Sequence, residues 1–549
     1  MKKGDIISIK IEGINERGKS YGIIDNNRVF ININAAKDQI VEGRLNKTRK
    51  KRYELNDCKI IDYANRKNQI YQELERQCGG CNFQYYTYEE QLYLKKENIK
   101  RLLDQCIKYE YEFQEPIQSV EKQGYRNKME FSFGNEYLDG PTILGLHKQN
   151  SFHDIVNVSG CKLMDANFDM IYNKVDEISK KFGLNFYHRL KHVGYLRNLV
   201  IRKGKNDILV NLVTTSDIDK KIEKDYLEEL KKELLNLPLK DGYKITGILH
   251  TLNDGLQDMV VSEKENILYG KRDICEEVFD LKFEISPYSF FQTNKKTVEK
   301  LYSKVIEYIG QKKDRVVFDL FSGTGTIGQI VSKNCKKVIG IEIVEEAVEK
   351  AKANCVLNNI QNCEFIAGDV FSRLENLESP DLLILDPPRG GVGEKTVKKI
   401  VEFYPTDEII YVSCNPRTLC TDLKQFQEYG YTVKKACIVD MFPFTNYVET
   451  VALLSKLDSK KYISVELPLD DMDLTRAESK VTYKQIQNYV FEKFGFKIST
   501  LYIAQVKKKW GLDVRKHYNM SKNEKQKIPK SPIEKEEAIL DALRHFKMI

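Results

Sequence analysis

The sequence of 549 residues contains no apolar run of eighteen or more residues, so we expect no transmembrane helix. It also lacks the charged and then apolar leader of a secreted protein, which argues against a signal peptide. Its twelve cysteines are irregularly spaced, and this argues against a compact disulfide framework. We therefore expect a cytoplasmic protein whose cysteines are free thiols, metal ligands or catalytic groups.

The composition is that of an ordinary globular chain, with 41% hydrophobic and 31% charged residues. At about 150 residues per domain, the length predicts three or four domains. The net charge of +8 is modest but concentrated, because basic residues cluster at 47–52 and again at 507–530. Such clusters fit a polyanionic partner, although either one alone could be a solvated basic surface.

The first sixty residues show short alternating strands separated by turns. Strands are predicted at 5–11, 21–24 and 29–33, with a hairpin signal at 25–27. This spacing predicts a small closed barrel over residues 1–62, a fold that often binds nucleic acid. The segment resembles a TRAM domain, an RNA-binding barrel found at the start of several RNA-modifying enzymes.

A segment with the cysteine motif and a central RNA-binding α+β domain is predicted over residues 63–285, and it includes an amphipathic helix at 85–107. Two segments, 125–133 and 195–202, alternate polar or basic residues with apolar ones, as half-buried strands do. Outward basic side chains beside aromatic ones can bind phosphates and stack on bases, and a merely solvated face is the other interpretation. The basic residues expected to face outward are Arg126, Lys128, Arg197 and Arg202.

Four strands in the segment 286–456 each end near an acid. The first strand is followed by a glycine-rich turn whose GxGxxG spacing alone could indicate a nicotinamide cofactor. Asp319, however, precedes the glycines, where it would repel a pyrophosphate but could bind an ammonium group. Glu342 can bind both ribose hydroxyls, so the pattern favours S-adenosylmethionine in a doubly wound α/β sheet. The four acids are Asp319, Glu342, Asp369 and Asp386.

Cys414 follows a predicted buried strand at 409–412 and precedes a turn at Asn415 and Pro416. A lone cysteine is most often a small core residue, but open α/β sheets bind ligands at the carboxyl ends of their strands. A thiolate there can add to C6 of a pyrimidine and make C5 nucleophilic, after which a base must remove the C5 proton. Glu449, at the start of a later apolar strand, is the candidate base, although alone it would pass for a solvated acid.

Six segments occur in the order SFFQTN, DLFSGTGTIG, IGIEIVEEAVEKAKAN, LLILDPPRGG, YVSCNPRTL and DMFPFTNYVETVALL. Together they resemble the RNA 5-methyluridine methyltransferase family, notably its bacterial 23S ribosomal RNA members, over residues 1–456. The resemblance implies a class I S-adenosylmethionine methyltransferase fold (Rossmann-like), with Cys414 as nucleophile and Glu449 as base. Tyr447 departs from the family, which usually has histidine there, and Phe321 replaces the commoner tyrosine. The implied S-adenosylmethionine contacts are Gln292, Phe321, Glu342 and Asp386.

The same resemblance implies a four-iron four-sulfur cluster. Cys78 and Cys81 flank two glycines, and Cys161 is a third candidate ligand. The family's remaining cysteine lies six residues before this motif, where the present chain has Gln72. A cluster held by three thiolates and a site that has lost its function both stay open.

Residues 457–549 extend beyond the usual end of the family. We predict an edge strand at 465–468, helices at 483–494 and 534–546, and either a basic accessory nucleic-acid module or a stabilising appendage. The resemblance implies an enzyme that methylates uridine in 23S ribosomal RNA, and we expect it to be a monomer without a protein partner. The alternatives are an enzyme that acts on transfer RNA, a non-catalytic RNA chaperone and a DNA cytosine methyltransferase. The last is disfavoured because DNA cytosine methyltransferases carry their cysteine after the fourth strand, whereas Cys414 follows the fifth.

Overall fold

The protein divides into two compact units, Met1–Leu457 and Asp458–Ile549. In the computed structural model, no helix of the described segments is long and apolar enough to cross a membrane. The structure describes residues 2–47, 53–64, 78–151, 153–256, 264–370, 377–457, 483–496, 498–510 and 532–546.

The first unit opens with a six-stranded sheet around a core that includes Ile9, Val29 and Leu55. The sheet curls on itself, because the strands at its two edges follow one another in the chain at 6–10 and 13–14, and the first of them also contacts the strand at 20–24. Its strands are β1 Ile6–Lys10, β2 Gly13–Ile14, β3 Ser20–Ile24, β4 Asn27–Ile31, β5 Ile40–Lys47 and β6 Tyr53–Asp62, in the order β1-β5-β6-β4-β3-β2.

A long helix, α1 Tyr88–Asp104, then leads to a seven-stranded sheet covered by two helices. The helix begins with a capping box in which the Thr87 side chain accepts from the Glu90 backbone and the Glu90 side chain accepts from the Thr87 backbone. A short strand, β7 Glu112–Phe113, lies in sequence between α1 and this seven-stranded sheet. The sheet has the order β10-β9-β8-β11-β12-β13-β14, and its elements are β8 Lys128–Gly134, β9 Ile143–His147, β10 Ile155–Val156, α2 Ala166–Lys181, β11 Leu196–Lys203, β12 Asp207–Thr214, α3 Lys220–Leu235, β13 Lys244–Leu252 and β14 Lys264–Gly270.

Two of the arginines expected on the outer face of this sheet are buried, so that prediction is wrong for them. Arg197 is 6% exposed and donates to the carbonyls of Asn253 and Gly255, each at 2.7 Å. Arg202 is 3% exposed and donates to the carbonyls of Ser286 and Ser289. A guanidinium offers several donors in a fixed fork, which suits it to bracing loops whose carbonyls would otherwise lack partners.

The last part of the first unit is an eight-stranded sheet with helices on both faces, which confirms the predicted doubly wound α/β architecture. A hairpin of β15 Ile274–Val278 and β16 Leu281–Ile285 precedes this sheet. The elements of the sheet and its helices are α4 Lys295–Ile309, β17 Val316–Leu320, α5 Thr326–Val331, β18 Lys337–Glu342, α6 Glu345–Leu357, β19 Cys363–Ala367, β20 Leu382–Leu385, α7 Glu394–Phe403, β21 Glu408–Ser413, α8 Pro416–Glu428, β22 Tyr431–Val439 and β23 Glu449–Lys456. The strand order is β19-β18-β17-β20-β21-β23-β22-β7, and β23 runs antiparallel to its neighbours.

In its described residues, the second unit contains three helices around an apolar core that includes Ile486, Ile503 and Ile539. Both predicted helices of this extension are present. The predicted edge strand at 465–468, Gln72 and most of the two basic clusters lie outside the described residues. The helices are α9 Tyr483–Phe494, α10 Thr500–Lys509 and α11 Ile533–His545.

Candidate active site

Cys414 and Glu449 meet at the carboxyl end of β21. The antiparallel register of β21 and β23 pairs Val412 with Val451 and Ser413 with Thr450. The pairing ends there, because β21 ends at Ser413 and Cys414 is the next residue, whereas Glu449 begins β23. The two side chains are close enough for the charge of Glu449 to act on the Cys414 thiol. The structure therefore brings the predicted nucleophile and the predicted base together.

The Cys414 thiol is half-buried among charged groups. Burial raises its pKa to about 11, and the negative charges of Glu449 and Asp386 act in the same direction. The guanidinium of Arg389 lowers this pKa. The resting thiol is therefore protonated near neutral pH, and only the deprotonated thiolate is a strong nucleophile.

Glu449 is 2% exposed, and it has no ion-pair partner within the described part of the chain. Burial raises its pKa well above the ordinary value, the charge of Asp386 raises it further, and Arg389 lowers it. A buried carboxyl group with a raised pKa binds a proton more tightly than a solvated one. Glu449 is therefore suited to accept a proton during a reaction, as a general base must.

Arg389 is the residue that the sequence interpretation missed. Its charge lowers the pKa of both Cys414 and Glu449, so it is the cation shared by the two groups. Its guanidinium carbon lies 5.0 Å from the ring centroid of Tyr447, and its carbonyl accepts from the Asn415 side chain at 2.9 Å. The signal was present in the DPPR segment, where a cation follows the strand-end Asp386 by three residues.

The glycine turn after β17 is tight at two positions. Phe321 has a positive φ of 65°, and its N–H donates to the carbonyl of Ile341 as the chain leaves the strand. Gly325 has a φ of 73°, and a Cβ there would lie 2.5 Å from the ring of Phe365, so only glycine fits. Among the described residues, Asp319 Oδ1 and Ser322 Oγ are buried without a hydrogen-bond partner.

The acids at the strand ends are either fixed by backbone hydrogen bonds or buried. Both carboxylate oxygens of Glu342 accept backbone N–H groups at 3.0 Å, one from Gly323 and one from Val344. Burial raises the pKa of Asp386 to about 7, and burial together with Asp386 raises that of Asp319 to about 8.

Asp386 follows the last residue of β20, and Phe321 and Glu342 occupy the corresponding ends of the neighbouring strands β17 and β18. Gln292 is 4% exposed, and its carbonyl accepts from the Asn127 side chain at 3.1 Å. S-adenosylmethionine carries amino-acid and ribose groups and a positive charge. The unpartnered atoms of Asp319 and Ser322 and the acids without a cationic partner fit these features.

The three cysteines of the predicted cluster also come close together. Burial raises the pKa of the Cys81 thiol far above its ordinary value, and the charges of Cys161 and Cys78 add to this effect. Cys81 and Cys161 pack against Tyr125 and Phe444. Within the described ranges, however, no set of three Cys, His, Asp or Glu side chains has a metal-binding arrangement. These residues do not fit a metal centre as they stand.

A turn of the N-terminal sheet reaches the edge of this site. Glu16 forms an ion pair with Arg417 on α8 at 2.9 Å, and its carbonyl accepts from the Asn446 side chain at 3.4 Å. Gly18 lies so close to Asn446 that a Cβ would be 3.0 Å from that side chain. The N-terminal sheet is thereby fixed beside the helix that follows Cys414.

Comparison with known proteins gives a consistent picture. Residues 87–457 match the model of the tRNA (uracil-5-)-methyltransferase family. An uncharacterized RNA methyltransferase of Clostridium acetobutylicum is 44% identical over 459 residues, which cover 83% of this chain and 99% of that protein. One of Caldanaerobacter subterraneus subsp. tengcongensis is 40% identical and matched over 83% of this chain and 100% of its own length.

Among solved structures, the tRNA (uracil-54, C5)-methyltransferase of Pyrococcus abyssi in complex with S-adenosyl-L-homocysteine is similar to this chain. The identity is 25% and the TM-score is 0.63, over 82% of this chain and 100% of that one. This likeness confirms the Rossmann-like fold of class I methyltransferases.

Proposed function

The chain belongs to the tRNA (uracil-5-)-methyltransferase family, and we propose that it methylates C5 of a uridine in RNA through a covalent bond between Cys414 and C6 of the base. The observation that carries this proposal is the pairing of Ser413 with Thr450, next to which Cys414 and the buried Glu449 lie close enough for the charge of Glu449 to act on the thiol. S-adenosylmethionine dependence and an RNA substrate follow from the family and its relatives.

The proposed reaction begins when the Cys414 thiol gives its proton to solvent and the resulting thiolate adds to C6, so that the electron pair of the C5–C6 double bond becomes available at C5. When bound, S-adenosylmethionine would supply the electrophilic methyl group to C5 and leave as S-adenosylhomocysteine. Glu449 then accepts the C5 proton, the C5–C6 double bond re-forms and the bond from C6 to sulfur breaks. The charge of Arg389 favours the thiolate before addition and the ionised carboxylate before proton transfer. Gln292, Phe321, Glu342 and Asp386 would hold the cofactor.

We propose 23S ribosomal RNA in the cytoplasm as the substrate of a monomeric enzyme, on the strength of the family resemblance of its sequence segments. Transfer RNA is the second candidate, because the Pyrococcus abyssi structure is that of a transfer RNA methyltransferase. The extension 458–549 forms a separate compact unit and would act as an accessory nucleic-acid module.

Methyl transfer from labelled S-adenosylmethionine to unmodified 23S ribosomal RNA and to unmodified transfer RNA tests both substrate and activity. We expect label at C5 of uridine in ribosomal RNA with the wild type and none with Cys414→Ala. Label in transfer RNA alone would establish the second candidate. Absence of label in both RNAs, from protein that binds RNA, would leave only the chaperone.

A further inference from the structure

The loop that leads into Glu449, residues 440–448, is held by an unusual polar face of α1. The buried positions of this helix include Gln91, which is fully buried, and Lys95, which is 2% exposed. They are four residues apart and therefore lie on the same face. Polar side chains are costly to bury in a helix–sheet contact unless specific partners receive them. Both of these side chains find their partners in the loop.

Gln91 and its neighbours fix the backbone of Phe444. The N–H of Phe444 donates to Gln91 Oε1 at 2.7 Å, and its carbonyl accepts from the backbone N–H groups of Asn82 and Phe83 at 3.0 and 3.1 Å. Phe444 has a positive φ of 64°, a conformation that is unfavourable for an aromatic residue. Three hydrogen bonds at a single residue hold this conformation in place.

Lys95 fixes the start of the same loop. Its ammonium group pairs with Asp440 Oδ1 at 2.7 Å and also donates to the carbonyl of Phe442 at 3.0 Å. From there the bonds run toward the base, because Thr445 Oγ1 donates to the same carbonyl at 2.8 Å. Thr445 Oγ1 in turn accepts the N–H of Tyr447 at 3.2 Å. The chain of contacts ends two residues before Glu449, beside the ring that stacks with Arg389.

We infer that Gln91, Lys95 and Thr445 are positioning residues that hold Glu449 where it can take the C5 proton. None of the three contacts the reacting atoms, and their effect passes through the backbone of 440–448. The inference rests on the proposed function, since it assigns Glu449 the role of base. Its consequence is selective: loosening the loop should slow proton removal more than formation of the covalent bond at Cys414.

The sharpest variant is Thr445→Val, which keeps the shape of the side chain and removes only its hydroxyl bonds. Its matched control is Thr406→Val, because Thr406 is also buried and its hydroxyl bonds both the carbonyl and the N–H of Glu408, away from the loop. A second pair is Gln91→Leu with Gln427→Leu as control. Gln427 is likewise buried and accepts a backbone N–H at 2.7 Å, from Lys108.

The experiment follows the covalent protein–RNA conjugate in a single turnover with S-adenosylmethionine and the RNA that the wild type methylates. For Thr445→Val and Gln91→Leu we expect the conjugate to form within about threefold of the wild-type rate and to decay about 10- to 100-fold more slowly, the scale of a small misplacement. The two controls should show no slower decay than the wild type.

Decay rates of Thr445→Val and Gln91→Leu equal to those of their controls would overturn the inference, and a slower formation step with unchanged decay would do the same. The proposed function is tested separately by 5-methyluridine formation in the wild type. A wild type that makes 5-methyluridine while the loop variants match their controls removes the positioning role and leaves the proposed function standing. A wild type that makes none removes the proposed function itself.

Discussion

Two buried carboxylates stand at the two ends of one loop, Asp440 at its start and Glu449 just after its end, and they are treated in opposite ways. Asp440 is fully buried and is paired with the Lys95 ammonium group at 2.7 Å. Glu449 is 2% exposed, and the structure as described gives it no such partner; burial raises its pKa, and the charge of Asp386 raises it further. The paired acid fixes the loop, whereas the unpaired acid is kept available to bind a proton.

This difference separates structural burial of charge from functional burial. A buried ion pair is costly to break because it leaves one charge without compensation, so it holds a conformation firmly. A buried acid without a partner is a cost to stability that a protein retains where reactivity requires it. Glu449 is an acid of this functional type, because burial and the charge of Asp386 both raise its pKa.

The largest effect should come from removing the thiol that faces the unpaired acid. Cys414→Ala should reduce 5-methyluridine formation by at least about 10⁴-fold, the scale of losing a covalent nucleophile. Its thermal unfolding should stay close to that of the wild type, because the side chain is only half-buried. Both 5-methyluridine formation and the unfolding temperature are measured for this variant and the wild type. Substantial residual methylation would contradict the assignment of chemistry to this end of the loop.

Breaking the ion pair of the other acid should have a large effect on stability. Lys95→Met should lower the free energy of unfolding by about 3–5 kcal/mol, since Asp440 would remain buried without compensation. Lys100→Met on the same helix is the control, because its pair with Asp104 is exposed and is worth at most about 1 kcal/mol. Denaturant unfolding compares the two variants. Equal losses would show that the buried pair contributes no more than a surface pair.

Arg389 connects the two groups at the functional end of the loop. Arg389→Met should lower the methylation rate by about 10²-fold, because the cation that favours both the thiolate and the ionised base would be missing. Arg417→Met is a suitable control for general loss of positive charge, since Arg417 pairs with Glu16 on the same side of the site. If Arg389→Met and Arg417→Met raised the Michaelis constant for RNA equally and left kcat unchanged, Arg389 would be only an RNA contact.

The smallest effect concerns the titration of Cys414. Its pKa of about 11 means that the thiolate fraction, and so the rate of alkylation by iodoacetamide, should rise about tenfold per pH unit from pH 7 to 10. Glu449→Gln removes a negative charge and should lower this pKa, whereas Arg389→Met removes a positive charge and should raise it. Mass spectrometry of the Cys414 peptide measures the rates. Identical pH profiles in the wild type, Glu449→Gln and Arg389→Met would show that neither charge affects the pKa of Cys414.

The catalytic sheet could be predicted well from the sequence because its strands are continuous apolar runs that end in acids. Such a pattern by itself places Cys414, Glu342 and Asp386 at one edge of the sheet. The outward Arg197 and Arg202 were predicted wrongly, because alternation in a strand does not reveal which loops lie over a sheet. The contact of Gln91 with Phe444 joins residues 353 positions apart, and no local pattern predicts such a pair.

The most direct test of the central claim is the mass of Glu449→Gln after incubation with S-adenosylmethionine and the RNA that the wild type methylates. If Cys414 attacks C6 and Glu449 removes the C5 proton, this variant should accumulate a stable conjugate that carries the RNA and one methyl group. The Cys414→Ala/Glu449→Gln double variant should form none. A Glu449→Gln protein that releases 5-methyluridine at the wild-type rate, with no conjugate, would contradict the account.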